Sequence, residues 1–502
     1  MNPRQITALV TFGIAIFLSI CAGISISLED YGLLALAAGF TLWIVLVVMP
    51  GYIPLLVVGL LLPFSLPLPI VWNCPFLLIA LGTCILKYWL ERGLTHHKNL
   101  TSISSINWSC GIFFAWVFLR YCMNPSIPNM MGFGRSVTGF RSWLNYSLCF
   151  GVLFFLGRFV ANRQGLFKLA RWLAVVSIFF SVVLLVAAFS KSFSAALVLT
   201  YLGMYVTTFD NGFLRFVVLP GFGLSLLSFA MLPDLLKLKP LARSALVIIG
   251  ICAIIVGGNR SSLGGAAIIS LVILLLRRKF LLATAVTGVI LAVSAGGYFG
   301  GAILSRLPQT GLLRAFALVS PALAESTGGD ANMEWREVRW QRALEEIKKH
   351  PFVGEGYGGL ENAFEFTDSA QMEETSQEMS LATGGVHNGY LASALALGIP
   401  ASLFFIFILF GNIYFNANRA LTLQKKDPVL GEAHCFVCAN LVANSAGIFV
   451  ASDLNDPMIW FYLAMGIFLI RLQRRERKQA MAGQPAKAAP AFVDRVLVNQ
   501  IA

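Results

Sequence analysis

Apolar runs broken by short polar stretches fill the chain as far as Tyr298 and resume at Gly389, and this alternation predicts an all-α integral membrane protein. A helix crossing about 30 Å of hydrocarbon takes roughly 17 to 25 mainly apolar residues, because lipid offers no partner to an exposed backbone group. On that criterion spans fall near 6–28, 31–49, 52–72, 75–90, 106–122, 143–157, 172–190, 214–232, 243–258, 262–276, 280–299, 389–415, 432–450 and 456–471. That makes about fourteen transmembrane helices. Segment 143–157 is short for the purpose, and 243–258 and 262–276 lie close together.

The one long polar interruption, residues 300–388, holds more than half of the 24 acidic residues. It divides the chain into a membrane bundle over 1–299, a large loop over 300–388, C-terminal membrane helices over 389–471 and a disordered tail over 472–502. Within the loop, residues 333–349 have helical composition, with Trp335, Val338, Leu344 and Ile347 as a candidate buried stripe. Arg336, Arg339 and Arg342 fall at i, i+3 and i+6, a ridge along neighbouring faces. His350-Pro351 stops the helix, the glycines of 354–359 force a turn, and the acidic Ser/Thr-containing stretch 361–383 reads as a lid or an irregular excursion.

Composition agrees with the membrane reading: 57% hydrophobic, 12% charged, mean hydropathy +0.77. A soluble domain carries about 25% charged residues. The net charge of +13 sits mostly in short Lys/Arg clusters between apolar runs, which is a topological signature rather than a nucleic-acid surface. With the N-terminus inside, the inner loops 91–98, 158–171, 237–243, 277–279 and 419–426 and the segment 471–478 are all basic. The same alternation puts the large loop on the periplasmic or external face and both termini in the cytoplasm. Arg120, Arg135, Arg141, Arg215 and Arg260 then point outward, where an anionic ligand would give cations a purpose. The nine cysteines lie in or beside apolar segments, as buried thiols do; Cys435 and Cys438 beside His434 make only half of a zinc pattern. Residues 6–28 have a basic flank and an apolar core but no convincing cleavage pattern, and they are read as an uncleaved first span.

No Walker loop, His-Glu-x-x-His or Gly-x-Ser-x-Gly motif occurs. Outward arginines and histidines at span ends remain: Arg260 in Gly257-Gly-Asn-Arg-Ser-Ser-Leu-Gly-Gly265, Arg336 in the loop helix, and His387 before the next span. Trp340 and Tyr357 offer rings for stacking on sugar or for packing, and Glu355 is a competing base.

In this order the motifs resemble the O-antigen ligase and O-antigen polymerase superfamily of bacterial membrane glycosyltransferases. Asn259-Arg260-Ser261-Ser262 is similar to the family's Ser-Arg-Gly-like element, with Asn in the usual Ser place. Arg336, Trp340, Ala343-Leu344 and His350-Pro351-Phe-Val-Gly354-Glu-Gly356-Tyr-Gly358 match a second element, and His387-Asn388-Gly-Tyr390 with Gly398-Ile399-Pro400 a third. The match covers roughly residues 250 to 410, and the N-terminal spans agree in hydropathy alone. The resemblance implies a glycan donor on a polyprenyl diphosphate, and an acceptor hydroxyl on lipid A core, on a second carrier-linked glycan or on protein. It also implies inverting transfer without metal or other cofactor in the bacterial inner membrane. It makes Arg260, Arg336 and His387 the catalytic candidates, His387 as general base or as diphosphate ligand. Arg215, Arg339, Asn388 and Tyr357 are substrate-binding candidates. The rival reading is a lipid-linked sugar transporter or flippase that cleaves nothing.

Overall fold

The computed structural model describes residues 52–61, 65–68, 72–95, 108–123, 138–159, 162–189, 206–208, 214–216, 218–257, 260–304, 329–356, 386–450, 454 and 456–481. The spans expected at 6–28 and 31–49 lie outside these residues. In chain order the described helices are α1 (Ile53–Leu61), α2 (Phe76–Thr95), α3 (Trp108–Met123), α4 (Thr138–Phe159), α5 (Arg163–Phe189), α6 (Leu219–Met231), the single turn α7 (Pro233–Leu236) and α8 (Pro240–Val256). They continue as α9 (Arg260–Leu276), α10 (Phe280–Leu304), α11 (Gly329–Lys349), α12 (Gly389–Leu397), α13 (Ile399–Leu423), α14 (Pro428–Val450) and α15 (Pro457–Met481). This is a helical membrane protein. Among the described residues three helices, 163–188, 280–300 and 399–423, are individually long and apolar enough to cross a bilayer, and six shorter apolar helices accompany them.

Among the described residues two short antiparallel ribbons punctuate the helices: β1 (Ser65–Leu68) with β2 (Trp72–Pro75), and β3 (Val206–Thr208) with β4 (Leu214–Phe216). The first corrects the span expected at 52–72. Pro63, Pro67 and Pro69 remove backbone donors and clash with a continuing helix, so α1 ends after nine residues, about 14 Å. A second correction concerns 389–415. Gly398, at φ +88°, breaks the expected single helix into α12 and α13, with Pro400 opening the second. In the other direction, 138–159 folds as one helix longer than the apolar run within it, and α15 carries the basic segment to Met481, so the stretch expected to be disordered from 472 begins as helix.

The bundle is built from helix pairs: α6 on α8, α9 on α14, α13 on α14, and α4 on α15. An aromatic knot of Phe113, Phe114, Phe405 and Trp460 ties α3 to α13 and α15, with ring centroids 4.4–5.8 Å apart. A polar seam runs beside it. Asn416 Nδ2 donates to the Asn412 carbonyl at 2.8 Å, Asn412 Nδ2 to the Leu463 carbonyl at 3.2 Å, and His434 Nδ1 meets Asn416 Oδ1 at 2.7 Å. Gly466 leaves room for the asparagine pair, since a Cβ there would collide with Asn412 Oδ1.

Charge divides the bundle by its ends. At one end Arg163 pairs with Asp427 and Glu476, and Arg277 with Glu432 at 3.1 Å. The start of α14 lies there, and its far end, at Phe449, meets the loop helix α11 through Trp340. The loop helix and the basic hairpins are therefore at opposite ends.

Candidate functional site

Helix α11 ends at Lys349 because Pro351 disfavours helical backbone at His350. Positions 339, 343 and 347 recur at i, i+4 and i+8, and they form the buried face: Arg339 is 2% exposed, and Ala343 and Ile347 are buried. Ala343 and Ile347 pack on Val386, Ala394 and Leu395, with Trp340 and Leu391 at the edge. Leu344, expected in the buried stripe, is instead 45% exposed, because it follows Ala343 by 100° around the helix. The ridge of arginines splits accordingly, with Arg339 inward and Arg336 and Arg342 half-buried beside it.

Trp340 fixes what this face meets. Its Nε1–H donates to the Val386 carbonyl at 3.1 Å, and its ring lies 5.8 Å from that of Phe449 on α14. The next residue is His387, at φ +52°, in a left-handed conformation that a non-glycine residue adopts at a cost of about 1–3 kcal/mol. Asn388 follows as the N-cap of α12, its Oδ1 accepting from the amides of Tyr390 at 3.1 Å and Leu391 at 3.2 Å. Tyr390 then anchors the turn to α14, its hydroxyl donating to the Ser445 carbonyl at 3.1 Å. His387 is thus held between a hydrogen-bonded carbonyl and a capped helix.

The electrostatics of this corner are cationic. Burial holds the imidazole of His387 below its ordinary range, and the guanidinium charges of Arg336 and Arg339 hold it lower still. Burial pulls Arg339 down to about 10, which leaves it charged at neutral pH. Arg336 keeps a buried Nε–H without a hydrogen-bond partner among the described residues. A neutral imidazole flanked by two permanent cations is suited to take up a proton beside a group that carries negative charge.

Beyond α11, residues 351–356 dock on the α12–α13 break. The Glu355 amide donates to the Leu395 carbonyl at 2.7 Å, Gly356 to Ala396 at 3.1 Å, and Ile399 back to Pro351 at 2.8 Å. Gly354, at φ +68°, and Gly398 abut so closely that a Cβ on either would collide with the other strand's backbone. The Glu355 carboxylate lies 3.7 Å from His350 Nε2. Two side chains that sequence reading did not connect with this site complete the joint: Trp116 Nε1–H donates to the Leu397 carbonyl at 2.9 Å, and Arg120 Nη2–H to the Gly354 carbonyl at 2.8 Å. Only outward placement of Arg120 at a span end hinted at it.

The structure therefore brings together Arg336, Arg339, His387 and Asn388. Arg260 begins α9, and Ile268, two turns along that helix, lines a largely apolar groove of ≈ 460 Å³ together with Tyr390, Phe410 and Ser445. Arg215 lies on β4 opposite Thr207, shortly before α6, whose Pro220 lies against Gly257, the C-cap of α8 three residues before α9 begins. Arg215 and Arg260 thus belong by backbone to the same end of the bundle as His387. Tyr357 lies outside the described residues.

Residues 245–406 match the family model described as O-antigen ligase, from within α8, through the loop, into α13. The stretch holding Arg260, Arg336 and His387 therefore matches the O-antigen ligase domain, in line with the ligase and polymerase superfamily that the motifs resemble. That domain implies glycosyl transfer of ligase or polymerase type from a lipid-linked glycan, in a membrane setting. A comparison with curated proteins gives no match.

Proposed function

We propose that this protein transfers a glycan from a polyprenyl diphosphate carrier to an acceptor hydroxyl at the external, periplasmic face of the bacterial inner membrane. The observation that carries the reading is the packing of the helix bearing Arg336 and Arg339, through Trp340, on the turn that holds His387, within the residues that match the O-antigen ligase model. His387 acts as general base: it takes the proton of the acceptor hydroxyl as that oxygen attacks the anomeric carbon. The bond from that carbon to the diphosphate oxygen breaks, its electron pair leaves with the diphosphate, and the new glycosidic bond forms with inversion. Negative charge grows on the departing diphosphate, and Arg336 with Arg260 stabilises it through the planar forks that match phosphate oxygens. Arg339 and Arg215 extend the cationic surface for the donor, Asn388 holds the base in place through its cap, and Tyr357 contacts the glycan. The acceptor class we favour is that of a ligase, lipid A core.

Proteoliposomes containing the purified protein, given a synthetic polyprenyl-diphosphate oligosaccharide and acceptor, test the reading. Release of free polyprenyl diphosphate with glycosylated acceptor is expected, together with its loss in His387→Ala and Arg336→Ala. Translocation of intact donor without cleavage would replace this reading with that of a flippase.

A further inference from the structure

We propose that Arg120 is a positioning residue for this site, acting from outside the O-antigen ligase domain by clamping the joint that sets Arg336 against His387. The proposal rests on the transferase reading only for its activity measurement.

Arg120 is 5% exposed on α3, and its Nη2–H donates to the Gly354 carbonyl across 234 residues of sequence. Among the described residues its Nη1 meets the Met123 sulfur, at 3.8 Å, and its Nε has no partner. No carboxylate of the described residues pairs with it. Burying a guanidinium against one carbonyl is costly, so this is a poor way to gain stability alone. What the contact does is geometric. One turn earlier, Trp116 donates to the Leu397 carbonyl on the other side of the same joint. Two donors on one rigid helix therefore grip both halves of the Gly354–Gly398 joint. One half continues back into α11 and Arg336. The other is the end of α12, whose beginning carries His387. Trp116 and Arg120 both reach this joint from outside the domain, so α3 fixes the distance between the two halves of the site.

The test uses Arg120→Met, Arg120→Lys and Arg120→Gln in the full-length protein in nanodiscs, read by hydrogen exchange and by turnover of a polyprenyl-diphosphate oligosaccharide. Lys keeps a donor of nearly the same reach for the carbonyl, whereas Met keeps only bulk and Gln is too short to reach it. Faster exchange confined to 350–356 and 395–400 is expected in Met and Gln, with kcat falling about 10- to 100-fold and donor KM nearly unchanged. Lys should restore much of both. Exchange at the joint like that of the parent protein in folded Met or Gln variants would overturn the proposal, as would Lys behaving like Met. If Met fails to fold, the comparison of Gln with Lys decides by the same readouts. If the parent protein releases no polyprenyl diphosphate at all, the transferase reading fails while hydrogen exchange still decides the clamp.

Discussion

The indole N–H of Trp340 donates to the Val386 carbonyl, the peptide unit immediately before His387. The loop helix thus reaches the backbone of the candidate base through this hydrogen bond. Trp340→Phe keeps an aromatic ring against Phe449 but leaves the carbonyl without its donor, at a cost of about 1–3 kcal/mol. Turnover should fall roughly tenfold for each 1.4 kcal/mol felt at the site, with expression unchanged. Steady-state kinetics beside size-exclusion profiles check this.

The pH profile follows from the sign of the His387 shift. Its pKa in the folded protein lies below the ordinary value, so the base form persists to lower pH than for a free imidazole, and activity is lost only as pH falls through that depressed value. The neutral form is also the one folding favours, so this contribution to stability is present above the ordinary pKa and declines as pH falls below it. Arg336→Gln removes one of the two cations, so the acidic limb of kcat should move to higher pH, whatever its height. A limb that stays in place would show that Arg336 does not act on His387.

Arg260 begins α9 at the same end of the bundle. Arg260→Lys keeps the charge and loses the planar fork, and we expect turnover to fall about 10²-fold, as removal of one oriented donor does. Full turnover at normal protein levels would count against phosphate contact by this residue.

Gly398 separates α12 from α13 at φ +88°, with the Phe352 carbonyl against its Cα. Gly398→Ala adds backbone strain of about 1–3 kcal/mol and a collision, and thermal unfolding should report a loss at least that large. Gly411→Ala is the matched control: nothing among the described residues lies within 4 Å of its added Cβ, so it should lose no stability and, inside a helix, gain up to about 1 kcal/mol.

Much of this was readable in advance because lipid permits few ways to satisfy a backbone. Apolar length gave most described helices, and the order Arg260, Arg336, His387 anticipated the matched domain. What escaped reading depends on φ angles and on partners far along the chain. Hydropathy runs straight through Gly398, since a break there changes direction without changing polarity. Periodicity favoured Leu344 over the smaller Ala343, although close helix packing at α12 selects the small residue and turns Leu344 outward. Arg339 is one of three arginines on a ridge in the sequence, and composition cannot reveal that it turns inward while Arg336 and Arg342 stay half-buried. Trp116 and Arg120 lie more than two hundred residues before the backbone they hold, and no local pattern announces such a contact.

The seam of Asn412, Asn416 and His434 works on the last three helices as teeth work on a key. Inside a bilayer, apolar side chains slide past one another at little penalty, so greasy surfaces alone choose an axial register poorly. Moving α13 by one turn would carry Asn412 away from the Leu463 carbonyl and push both amides off the notch at Gly466. Only one axial setting lets these helices mesh, and that setting determines the height at which Tyr390 and its neighbours stand in the membrane.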